Sequence, residues 1–131
     1  MKKSSMSLVL VVVICLFALS TACTEQPSYV QRTLPSGRTI KVSGVTKMNF
    51  KKGGHTLMLR YYTDIDISDM NKLQQEVDDI WQSFFKIDVE KAGIKLAIIS
   101  ANEMPKGTVS MTKRHNFIFT RKEDGSWTTK E

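Results

Sequence analysis

Cysteine is nearly missing from this chain: there are two in 131 residues, Cys15 and Cys23. A framework of several disulfides, the usual support of small secreted domains, is therefore excluded. Histidine is as scarce, with only His55 and His115. They stand in no metal-ligand spacing and no local cysteine can join them, so no metal site is expected. No G-x-S-x-G, P-loop or dinucleotide fingerprint occurs, so no catalytic residue and no bound cofactor is assigned. Internal repeats and low-complexity stretches are absent, which excludes solenoids and linker-like chains. Apolar residues make up 41%, as in an ordinary globular protein. The length suits one domain with its own core.

Long hydrophobic runs are also absent, with one exception. Lys2 and Lys3 give a positive start, and Leu8 to Leu19 is apolar. The small residues Ser20, Thr21 and Ala22 then precede Cys23. These zones form a secretory signal peptide. Its ending resembles a lipobox, the motif of bacterial lipoproteins. Thr21 and Ala22 satisfy that motif's demand for small residues before the cysteine. Its customary Leu falls at Ser20 here, with Leu19 one place further back. The resemblance implies that the Cys23 sulfur receives a diacylglycerol, that the signal is cut before Cys23, and that the new N-terminus is acylated. It implies no other cofactor. With Thr24 rather than Asp after the cysteine, it also implies the outer membrane, facing the periplasm, in a double-membraned organism.

Two alternatives stand beside this. An ordinary cleaved signal would leave Cys23 incidental, since Ser20 and Ala22 suit that peptidase too. An uncleaved anchor would need roughly 20 apolar residues, more than Leu8 to Leu19 supplies. Cysteine arithmetic favours the lipoprotein, because Cys15 leaves with the signal and the one remaining thiol is consumed by lipid. Loss of Lys2 and Lys3 lowers the formal net charge of +6 by two. The mature protein is modestly basic, and export makes nucleic acid an unsuitable partner. The tether from Thr24 to Ser28 extends at most about 17 Å, so the domain sits close to its membrane. The organisation is a signal peptide over 1–22, a lipidated cysteine and tether over 23–28, and one domain over 29–131.

Within that domain Tyr29–Leu34 reads as a strand, Pro35-Ser36-Gly37 as a turn, and Arg38–Val45 as a strand. Thr46–Lys52 and His55–Tyr62 flank Gly53-Gly54, which predicts a hairpin with a two-residue turn. That register pairs Phe50 with Leu57, Met48 with Leu59, Thr46 with Tyr61 and Lys47 with Arg60. Ser68 or Asp69 caps a helix from Met70 to about Lys86, extendable to Ala92 with Gly93 as its stop. Met70, Leu73, Val77, Ile80 and Phe84 form its apolar stripe, widened by Trp81 and Phe85. Phe85 is the expected outlier. Ile94–Ser100 is apolar on both parities and reads as a central strand. Thr108–Thr120 and Ser126–Lys130 follow as strands. A three-residue loop with Gly125 left-handed places Trp127 beside Phe117 and Phe119. The expected fold is α+β: an antiparallel sheet of five to six strands, with one main helix packed on one face in the order β-meander, helix, β-meander.

Asp64-x-Asp66-x-Ser68 has the first spacing of a calcium loop. The later positions hold Asp69 and Gln75 instead of Gly and Glu, so a polar helix entrance is the better reading. His55 is expected at the hairpin tip, and His115 half-buried. Charge is segregated: Gln26–Tyr62 carries seven bases and no acid, Thr63–Glu90 eight acids, and Lys91–Lys122 seven bases against Glu103. Complementarity between helix and sheet accounts for this. The sharper alternative is an open sheet face, with Lys47 and Arg60, that meets an acidic partner or anionic headgroups. The expected protein is a membrane-anchored envelope lipoprotein with a non-enzymatic binding domain. A small-molecule or enzymatic pocket between helix and sheet, containing His115 beside a carboxylate, is the alternative. Self-association by a strand edge is a third option.

Overall fold

The computed structural model describes residues 27–52, 54–106 and 112–130. The signal peptide, Cys23 and the first part of the tether lie outside them, as do Thr108–Met111 at the start of one expected strand. The described chain is α+β, with six strands in the spatial order β1-β2-β3-β4-β5-β6. They are β1 (Val30–Thr33), β2 (Thr39–Phe50), β3 (Gly54–Thr63), β4 (Leu96–Glu103), β5 (Arg114–Arg121) and β6 (Trp127–Lys130). One continuous helical segment joins β3 to β4. It comprises α1 (Met70–Ile80), a π-helical turn (Trp81–Phe85) and α2 (Lys86–Lys91).

One pair departs from the expected antiparallel sheet, since β3 and β4 run parallel. The reason is topological. Strands that are neighbours in the sheet but joined by a helical crossover must point the same way. The other four pairings are antiparallel. β4 is central, flanked by β3 and β5, and the helix covers the face that carries Ala97, Ile99 and Ala101.

The helix begins at Asp69, whose carboxylate accepts from the Lys72 amide at 3.3 Å. It ends before Gly93, with φ of +67°. Leu73, Val77 and Ile80 are wholly buried. Beyond Ile80 the stripe moves. Phe85, the expected outlier, is wholly buried, whereas Phe84 is only half-buried, beneath the Arg32 guanidinium 3.8 Å above its ring. The π turn explains the exchange. It takes in one residue more than an α-turn, so the core position falls on Phe85 and then Val89.

The β2–β3 hairpin also differs from expectation. Phe50 pairs with Gly54, Lys47 with Leu57, Val45 with Leu59 and Gly44 with Arg60. β2 therefore ends at Phe50 and β3 begins at Gly54, which takes the positive φ of +76°. The register lies three residues from a two-residue Gly-Gly turn. An odd displacement exchanges faces between the strands. It puts Leu57, Leu59 and Tyr61 under the helix and leaves Met48 and Phe50 on the other face. A bulge at Ser43 then bends β2, so that Ile40 and Val42 also reach the core. The β5–β6 turn matches its expectation. Lys122 bonds Ser126 across Glu123-Asp124-Gly125, and Gly125 has φ of +85°.

The core lies between helix and sheet. Its centre is Leu59, Ile99, Phe117 and Phe119 from the strands with Leu73, Val77, Ile80, Trp81 and Phe85 from the helix. Trp81 stacks on Phe119 at 4.1 Å and meets Trp127 edge-on at 4.9 Å. Ala97 and Ala101 on β4 are buried in the same layer and leave room for these rings. Every buried core side chain lies between Leu34 and Phe119.

Candidate functional site

Two regions carry polar chemistry. One lies under the helix N-terminal half; the other is the uncovered sheet face. The first centres on Glu76, a carboxylate whose side chain is 2% exposed. Oε2 meets Arg38 Nε at 2.8 Å, and Oε1 accepts from the Thr63 hydroxyl at 2.6 Å. The Leu34–Arg38 turn delivers Arg38: Leu34 N–H donates to Arg38 O at 2.7 Å, and Gly37 closes the turn with φ of +84°. Tyr61, also buried, places its hydroxyl beside this group, with no hydrogen-bond partner among the described residues. Burial, and then the Glu76 charge, hold that hydroxyl well above the usual tyrosine range. It stays protonated in the fold.

A cleft of about 330 Å³ opens beside this cluster, lined by Leu34, Ser36, Arg38, Lys72, Gln75, Glu76 and Asp79. Both oxygens of Glu76 are engaged, however. A buried carboxylate held on both oxygens ties the helix to the Arg38 turn and to β3, a structural role. The sequence stripe did not mark Glu76, because an acid on a helix reads as solvated. Its only signal was its position three residues after Leu73 and one before Val77, inside the apolar arc.

A second cleft, about 310 Å³, lies at the carboxyl ends of the parallel pair β3 and β4, between Asp64, Asp66, Glu103, Lys106 and Lys113. Asp66 is occupied locally. Its carboxylate accepts from Ser68 N–H at 2.9 Å and Ser68 Oγ at 2.7 Å, and these bonds hold it below the usual carboxylate range. No cluster of metal-ligating side chains forms among the described residues. The polar helix entrance is what this segment builds.

His55 lies exposed near the hairpin tip and bonds Asn49, its cross-strand partner. His115 is half-buried on the helix face, 4.9 Å edge-on to Phe117, and its Nε2 has no partner among the described residues. It shares a cross-strand row with Ala101 and Tyr61. It lines neither cleft.

The uncovered face reads row by row from the register. Lys41, Tyr62, Asn102 and Arg114 form one row, and Gly44, Arg60, Ser100 and Asn116 the next. Then come Thr46, Met58, Ile98, Ile118 and Lys130, followed by Met48, Thr56, Leu96, Thr120 and Thr128. Phe50, 51% exposed, stands at the corner. One end is basic and polar, the other apolar. No Asp or Glu occurs in these rows, and Lys41, Arg60, Arg114 and Lys130 make no ion pair among the described residues. The two ion pairs found there both involve the helix or its cap.

Lys47 and Arg60 therefore do not share a surface. Lys47 lies on the helix side of β2, opposite Leu57, and Arg60 lies on the uncovered face, opposite Gly44. The expected opposition of like charges disappears with the register that produced it. The bases that do accompany Arg60 come from β2, β5 and β6. Only the strand register could assemble them.

Among the described residues no helix is long and apolar enough to cross a membrane. Compared with protein-family models, curated proteins and solved structures, the chain matches none of them.

Proposed function

We propose that this protein is a lipoprotein of the bacterial cell envelope, held at a membrane through Cys23, whose domain works by binding at its uncovered sheet face. Anchoring is supported by the sequence: a short apolar run ends in small residues and the one cysteine that export would spare. In a double-membraned organism the outer membrane, facing the periplasm, is the favoured location. Binding is supported by a single observation, the sheet face that gathers four bases and an apolar half without one acid. A charged interior site would instead centre on Glu76, whose two oxygens are already held by Arg38 and Thr63. An enzymatic pocket with His115 beside a carboxylate is the weaker reading, because His115 lines neither cleft.

Intact mass of the mature protein tests the anchor. The expected product begins at Cys23 and carries diacylglycerol and an N-acyl chain, since one chain alone holds a membrane only marginally. A free, unmodified Cys23 sinks the anchoring.

A further inference from the structure

We infer that the uncovered sheet face rests on an anionic phospholipid surface. Its basic rows take headgroup phosphates, and its apolar rows settle toward the acyl boundary. The nearness of a membrane rests on the anchoring proposed above; the affinity rests on the face itself.

Lys41, Arg60 and Arg114 occupy two adjacent rows at one end. Neighbouring strands stand about 4.8 Å apart, so Lys41 on β2 and Arg114 on β5 are separated by roughly 14 Å. That span serves more than one headgroup. The other end presents Met48, Met58, Leu96, Ile98 and Ile118, each half-buried, and the more exposed Phe50. Lys51 and Lys52 follow Phe50 directly at the hairpin tip. Bases beside a shallow apolar area, with no acid among them, are what an anionic interface attracts.

The path of the chain agrees. Tyr29, just before β1, packs edge-on against Tyr62 at 6.4 Å, with the Lys41 ammonium 5.4 Å from its ring centre. Both partners belong to the basic row. Tyr29, the residue that follows the tether in sequence, thus lies on the same side of the sheet.

Because every buried core side chain among the described residues lies within Leu34–Phe119, an unlipidated form starting at Thr24 keeps that core intact. Its sedimentation with vesicles of phosphatidylcholine, alone or with phosphatidylglycerol added, reads the inference directly. We expect binding only to the mixed vesicles, weakening as salt rises. Each base near the surface contributes roughly five-fold in affinity. The K41E/R60E/R114E variant should therefore lose on the order of 100-fold or more. A K47E/K72E/K91E variant, with the same charge change on the helix side of the sheet, should keep most of the binding. Phe50→Ser should lose a few-fold with no change of charge. Equal loss in both triple variants, or no preference for phosphatidylglycerol, overturns the inference and leaves the face to an acidic protein partner. Neither result touches the mass of Cys23, and a free Cys23 would leave the vesicle result standing.

Discussion

Glu76 shows how a single residue escapes sequence reasoning. An acid in an amphipathic helix belongs by default to the solvated face, yet this one is enclosed by Arg38 and Thr63. Arg38 comes from a turn 38 positions earlier, a separation at which sequence periodicity is silent. Arg38→Met should leave the carboxylate buried without its cation. Breaking such a pair costs several kcal/mol when both members are buried; Arg38 is half-exposed, so roughly 1–3 kcal/mol is expected in chemical denaturation. Adding Glu76→Met should recover most of that loss, because an apolar pair needs no desolvation to be repaid. Tyr61 gives a pH signature. The unfolded chain ionises this phenol near pH 10, while the folded chain holds it protonated. Stability is thus intact below about pH 10 and declines above it. Tyr61→Phe should flatten that alkaline decline. Near neutral pH it should cost no more than about 1 kcal/mol, because the hydroxyl it removes is buried without a partner.

At the scale of elements, the helix was legible because its apolar residues recur at helical spacing and its ends carry an acid cap and a glycine stop. What could not be read was the π turn, since a one-residue insertion leaves local composition unchanged. With it, the buried positions run Leu73, Val77, Ile80, Trp81, Phe85, Val89. Removing one exposed residue of the turn makes this stripe a regular α pattern. Deletion of Gln82 should therefore leave a folded protein with Phe85 and Val89 still in the core. Deletion of Asp88, beyond the turn, should rotate Val89 outward and cost about 2 kcal/mol. Thermal unfolding of the two variants separates these outcomes. The hairpin misled for a related reason. Gly53-Gly54 is a strong local signal for a two-residue turn, but the register that sets Val42 opposite Tyr61 and buries Ile40 in the core outweighs a turn preference. By contrast, the Gly125 turn and its Trp127 placement were legible, because turn chemistry and aromatic burial point to the same register.

For the molecule as a whole, the segregation of charge along the chain becomes segregation in space. Acids gather on the helix side, and among the described residues the rows on the far side of the sheet hold none. Internal complementarity accounts for little of it: one ion pair, Arg38–Glu76, joins helix to sheet among the described residues. The four bases of the uncovered face have no ion-pair partner among the described residues. Their arrangement depends on the parallel β3–β4 pair, which carries the β2–β3 rows across to β5 and β6. A strictly antiparallel sheet would have required a different order and a different face.

The amino-acid sequence by itself determined the class of fold, the approximate number of strands, and the helix and its caps. All are local patterns, written in spacing and turn residues a few positions apart. The tertiary structure alone decided the hairpin register, the direction of β4, the burial of Glu76 and which bases share a surface. Those depend on contacts between distant segments, where the gain from burying apolar area overrides local preference, and a one-residue displacement sends a side chain to the opposite face.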